Sequence, residues 1–135
     1  MGSGTMTTLE WQETTWEGKP AADVPAPKTT VASDTATING EIEGQVTDRW
    51  VMSYAEDGTA RFVGLTQITG AVAGRSGTFV LQHAGRFDAE GLHTDFTVVP
   101  DSGTGDLSGI TGAGTFVNTG PEGEPTHYTF EPQFN

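Results

Sequence analysis

Gly40-Glu41-Ile42-Glu43-Gly44, Gly70-Ala71-Val72-Ala73-Gly74 and Gly105-Asp106-Leu107-Ser108-Gly109 share one form, two glycines enclosing a single aliphatic residue between small or polar neighbours. Glycine inside a strand costs packing and backbone entropy, so it recurs where a sheet bulges, bends or turns a barrel corner. Each motif therefore reads as a strand segment that bends sharply at both ends. Around the motifs, alternating or β-rich runs fall at 7–18, 28–39, 42–55, 60–72, 76–88, 92–100, 106–118 and 126–134, bounded by Gly, Pro, Asp or Asn. No window carries the i, i+3, i+4, i+7 apolar stripe of a helix. Asn39-Gly40, Glu56-Asp57-Gly58, Gly74-Arg75-Ser76-Gly77 and Ala89-Glu90-Gly91 tolerate positive φ and suit hairpins, which makes neighbouring strands antiparallel. With eight strands, glycine corners and no helix to cover an open face, the expected fold is all-β, a closed eight-stranded antiparallel barrel with little or no helix. A two-sheet sandwich is the alternative. Pro20, Pro25 and Pro27 make residues 19–27 an irregular loop.

Composition bounds the function. The 135 residues make one domain, and Lys+Arg 6 against Asp+Glu 18 leaves a net charge of −12. Such a field repels phosphate backbones and anionic lipid, so neither nucleic acid nor a membrane surface is an expected partner. Cysteine is absent, which removes disulfides, thiolate metal sites and cysteine nucleophiles. No stretch approaches the ~18 apolar residues of a membrane span. Met1-Gly2-Ser3-Gly4-Thr5 has the composition of an appended tag, which places the single domain at 6–135, and no secretory pattern is present, so a cytoplasmic location is expected.

Phe62-Val63-Gly64-Leu65, the run Gly74 to His83, the run Val98 to Gly109 and Gly112-Ala113-Gly114 together resemble an uncharacterised bacterial family, domain of unknown function 3224. Trp11-Gln12-Glu13 and Trp50-Val51-Met52-Ser53-Tyr54 are similar to its earlier blocks, so the resemblance spans about residues 9–130. Through that family it implies a barrel like that of allene oxide cyclase, dirigent proteins and some spirotetronate Diels–Alderases. What it implies is a fold and a class of small apolar ligand. It assigns no catalytic residue to this chain.

The candidate residues come from alternation. In Thr78–Phe87 one face carries Phe79, Leu81, His83 and Phe87, and a histidine beside apolar neighbours stays neutral near pH 7, as a proton acceptor must. In Arg49–Tyr54 one face carries Trp50, Met52 and Tyr54, an aromatic ring, a thioether and a phenol suited to lining a cavity. Glu13 shares its face with Trp11 and Thr15 and ranks above Asp95 as a general acid or base. His83, Glu13 and Tyr54 are the catalytic candidates, and Trp50, Met52, Phe79, Leu81 and Phe96 the ligand-binding ones. Against each stands the plainer reading of a satisfied core residue or a solvent-facing strand end.

No metal is expected, because His83, His93 and His127 stand in neither an i, i+2 nor an i, i+4 pair. Ser102-Gly103-Thr104-Gly105-Asp106 lacks the lysine and the helix of a phosphate loop, so no nucleotide cofactor is expected either. Two functions fit. One is a cofactor-independent isomerase or cyclase that orients a hydrophobic substrate, of polyketide or lipid type, inside the barrel. The other is a lipocalin-like protein that binds a small apolar molecule without changing it. A homo-oligomer, dimer or trimer, is expected because several strands carry apolar residues on both faces.

Overall fold

The structure is a computed structural model that describes residues 2–120 and 124–134. Its strands are β1 (Gly2–Thr15), β2 (Lys28–Gly40), β3 (Ile42–Tyr54), β4 (Ala60–Val72), β5 (Arg75–Asp88), β6 (Gly91–Val98), β7 (Thr111–Asn118) and β8 (Thr126–Gln133). Consecutive strands pair antiparallel, and β8 returns to β1, closing the barrel in the order β1 to β8. The sandwich alternative is thereby excluded. Two single 3-10 turns, Ala21–Asp23 and Gly105–Leu107, are the helical content of the described residues, and neither can cross a membrane.

Alternation sets which residues meet inside. Thr30, Ala32, Asp34, Ala36 and Ile38 of β2 are buried, as are Ile42, Val46, Asp48, Trp50 and Met52 of β3, while their sequence neighbours face outward. Glycine serves the curvature. Gly44, Gly70 and Gly77 are successive partners across β3, β4 and β5, and a Cβ on Gly70 would strike the backbone of Glu43 and Gly44. The sheet turns its corner along that row.

The barrel has one filled end. Strands β1 to β5 run 13 or 14 residues but β6, β7 and β8 only 8. The space under the short wall is closed by the β6–β7 connection, whose Thr104 N–H donates to the Thr78 carbonyl at 2.8 Å and whose Leu107 and Ile110 are buried. Here the structure departs from the expected strand over 106–118. Gly105 (φ +59°) and Gly109 (φ +83°) break the extended chain, the third glycine motif forms a 3-10 turn, and β7 begins only at Thr111. Ile38, Ile42, Ile68, Val72, Phe79, Leu81, Phe96, Phe116 and Phe130 pack with Leu107 and Ile110 into one core.

At the seam, Gly2 to Met6 pair with Phe130 to Thr126. Residues 2–5, expected to lie outside the domain, thus supply four of the five paired positions that close the barrel. Tyr128 locks the same corner: its hydroxyl donates to the Asn39 carbonyl at 2.8 Å and accepts the Ile42 N–H at 2.9 Å. The 19–27 loop is irregular apart from its one 3-10 turn, as its prolines require.

Candidate functional site

The opposite end, beneath the β3–β4 and β5–β6 hairpins, holds a cavity of about 680 Å³. That is ample for a drug-sized molecule. Its walls are rings and a thioether, chiefly Trp50, Met52, Phe62 and Phe116, with Trp11 and Phe87 at the mouth. Small residues leave the room. Trp50 lies across from Gly64, where a Cβ would come within 2.6 Å of the indole, and Phe62 lies across from Gly85, where a Cβ would come within 2.9 Å of its ring. Trp50 and Phe62 meet edge to face with centroids 5.3 Å apart.

The cavity floor is polar, and it comes from strand register. Trp11, Asp34, Asp48 and Thr66 are successive partners across β1, β2, β3 and β4. Asp48 is 1% exposed and Asp34 6%. The Trp50 Nε1–H donates to Asp34 Oδ2 at 3.0 Å, while Asp34 Oδ1 has no hydrogen-bond partner. Two carboxyl groups buried on adjacent rungs cannot both ionise cheaply. Burial first, then the adjoining Asp34 carboxyl, push the Asp48 carboxyl up to about 9, so Asp48 carries the proton at neutral pH.

From Asp48 a chain of hydrogen bonds crosses the floor. Thr66 Oγ1 bonds Asp48 Oδ1 and lies 2.8 Å from His83 Nε2, and His83 Nδ1 lies 3.0 Å from Thr94 Oγ1. Two directions satisfy it throughout. In one, the Thr94 hydroxyl donates to Nδ1, Nε2–H donates to Thr66, and Thr66 donates to Asp48. In the other, Asp48 donates to Thr66, Thr66 to Nε2, Nδ1–H to Thr94, and Thr94 to the Asp95 carbonyl at 3.4 Å. His83 is 2% exposed and packed against Trp50 (5.0 Å) and Phe116 (5.2 Å), and that burial lowers it to about 4, so it is neutral.

The sequence-derived candidates divide. Trp50, Met52, Tyr54 and His83 all line the cavity. Phe79, Leu81 and Phe96 do not: they are core, Leu81 paired with Thr66 and Phe96 with His83 at the level of the floor and Phe79 deeper toward the filled end. His83 is held at both ring nitrogens and is not a free base. Glu13 and Tyr54 occupy each other at the rim. Glu13 Oε2 accepts the Tyr54 and Thr30 hydroxyls at 2.6 Å each and Oε1 accepts the Trp11 indole N–H at 3.2 Å. Burial and that carboxylate raise the Tyr54 phenol well above its ordinary range. Asp95 points outward, 3.5 Å from His93. Asp34 and Asp48, which carry the polar floor, were not among the sequence candidates. Their signal is the alternation itself, since Asp48 falls on the Trp50–Met52 face and Asp34 on the Ala32–Ala36–Ile38 face. Among the described residues no three His, Asp or Glu side chains converge as a metal site.

Fold and site together define a closed antiparallel barrel plugged at one end and open at the other on an apolar cavity with an acidic floor. The chain belongs to the family described as Protein of unknown function (DUF3224), whose model matches residues 2–131. It is similar to a crystal structure of a protein with unknown function from that family from Shewanella oneidensis MR-1, with 25% identity and a TM-score of 0.74 over 100% of this chain and 98% of that one. No curated protein matches the chain.

Proposed function

We propose that this protein binds a small, largely apolar molecule in the open end of its barrel and catalyses an isomerisation or cyclisation on it without a cofactor. What supports the reading is the Asp34–Asp48 pair, two buried carboxyl groups on the floor of a cavity otherwise walled by rings. The pair holds one proton. Asp34, with Oδ1 unengaged, takes a proton from one atom of the substrate, and Asp48 delivers its own to another. The single proton is then redistributed between neighbours, so the pair ends a turnover as it began. Thr66 and His83 are positioning residues that orient the Asp48 carboxyl. Trp50, Met52 and Phe62 hold the substrate in a reactive shape. Kinship with allene oxide cyclase-like barrels belongs to the same proposal, supported by the eight-stranded architecture.

A non-catalytic binding role is the second reading, favoured by the fact that His83, Glu13 and Tyr54 are all engaged within the protein. Native mass spectrometry after exposure to a metabolite extract separates the two. On the first reading the captured molecule changes with time, and Asp48→Asn slows that change by ~10²-fold or more while leaving capture nearly intact. On the second it stays unchanged. Self-association as a dimer or trimer is also proposed. It is supported by an outer row of Val31, Val51, Val63 and Ala84, paired across β2 to β5 and exposed beside Leu65.

A further inference from the structure

The floor of the cavity carries acidic groups that no basic side chain of its lining balances. Asp34 and Asp48 set two carboxyl groups side by side on that floor, and buried carboxyl groups are ordinarily paired or hydrogen-bonded at every lone pair. Here they are not. Asp34 Oδ1 has no partner, although the residue is only 6% exposed, and it lines the cavity. No lysine or arginine lines that cavity among the described residues. Arg49, the nearest in sequence, is on the outer face and donates to the Asp48 main-chain carbonyl at 2.9 Å. The remaining ionisable groups of the lining are Asp88, Tyr54 and the neutral His83, none of them a cation. A ligand carboxylate or phosphate would meet only like charge.

We infer that the ligand carries a cationic nitrogen, a protonated amine on an apolar or aromatic body, with its N–H groups on Asp34 Oδ1 and its charge among the rings of Trp50, Phe62 and Trp11. This deepens the binding part of the proposal above and rests on that part alone, since an ammonium seated on Oδ1 makes Asp34 its counter-ion rather than a base. Three observations converge. The free carboxylate oxygen needs a donor, and a charged donor makes the stronger bond. The pair needs a countercharge, and an ammonium on the singly protonated pair leaves the floor neutral. The walls are aromatic, and aromatic rings attract a desolvated cation. A metal ion would satisfy the charge, but among the described residues no third His, Asp or Glu converges with the pair.

The test is calorimetric titration of the whole chain at ~0.15 M salt, where fields from the distant surface are screened beyond ~8 Å. Three probes match in size: naphthylethylamine as the cation, its N-acetyl derivative as the neutral form, and naphthylpropionate as the anion. The amine should bind about 10-fold or more tighter than the amide, with the anion weakest. Asp34→Asn should erase most of the preference for the amine while changing amide affinity less than about threefold. Asp95→Asn, on the outer surface, should leave the preference alone. Equal or tighter binding of the amide by the wild-type chain overturns the cation inference and leaves the cavity reading standing. An amine preference that survives Asp34→Asn also overturns it, because the preference would then come from the overall charge. If none of the three binds, the cavity reading fails and takes the inference with it. The wild-type comparison needs no variant to fold.

Discussion

The two ends of the barrel are built from the same strands and the same alternation, yet one is solid and the other hollow. At the filled end the inward positions are Ile38, Ile42, Val46, Ile68, Val72 and Phe79, closed off by Leu107 and Ile110. At the open end they are Ala32, Asp34, Asp48, Ala60, Gly64 and Gly85, with Trp50 and Phe62 standing over the glycines. Branched aliphatic side chains fill volume from every rung. Rings set opposite glycines line a space without filling it. The fold is therefore stabilised mainly at one end, which leaves the other free to hold polar groups that cost stability.

The sharpest way to break this division is to cut both ends alike. Phe79→Ala should cost ~3–5 kcal/mol, the range for a fully buried phenylalanine. Met52→Ala, at the cavity wall, should cost well under that, because the space it vacates adjoins an existing cavity. Urea titrations of the two variants check this, and equal losses would mean the open end is packed as tightly as the other.

The next effect is on pH dependence. Asp48 is raised from an ordinary 3.8 to about 9, so between those values the folded chain holds a proton that the unfolded chain has lost, and stability falls as pH rises. His83 is lowered from 6.5 to about 4, so between those values the unfolded chain holds the extra proton, and stability rises with pH. The two slopes oppose each other from about pH 4 to 6.5. Above 6.5 Asp48 acts alone, and stability should decline toward pH 9 by up to ~1.4 kcal/mol per unit. Melting temperature measured across that range should fall in the wild-type chain and stay level in Asp48→Asn.

Gly64→Ala sharpens the comparison from the other side. The added methyl would strike the Arg49 main-chain carbonyl and the Trp50 ring, pushing the strands apart there and loosening the indole's bond to Asp34, at ~1–3 kcal/mol. A shift of tryptophan fluorescence toward longer wavelength should accompany the loss. The smallest change in stability belongs to the outer wall, where Val63→Asp should stay within ~0.5 kcal/mol. Light scattering should nevertheless show it as a monomer where the wild-type chain associates.

Much of the barrel could be read from the chain alone. Six of the eight expected runs coincide with strands to within two residues, because the buried face repeats every second position and Gly or Asp-Gly pairs mark the hairpins. Asp106 to Ser108 deceived because a glycine-bounded aliphatic residue suits a bent strand and a plugging turn equally. Gly2 to Thr5 deceived because pairing, not composition, puts them in β1. In the site, alternation correctly grouped Trp50 with Met52 and Tyr54. It does not say which inward residues border the open space and which are covered by their neighbours, so it sends Phe79, Leu81 and Phe96 to the cavity as well, and these three are core. Asp34 and Asp48 escaped for a different reason. An aspartate in a strand usually faces water, and that residue-type expectation outweighs the alternation that sets Asp48 with Trp50 and Asp34 with Ala32 and Ala36.

The acidic floor is the centre of the account, and carbon-detected NMR of the aspartate side chains reads it directly. The Asp48 carboxyl is predicted to stay protonated through neutral pH and to titrate near 9, with a chemical-shift response at Asp34 over the same range. An Asp48 carboxyl that titrates near 4, independently of Asp34, would contradict the account.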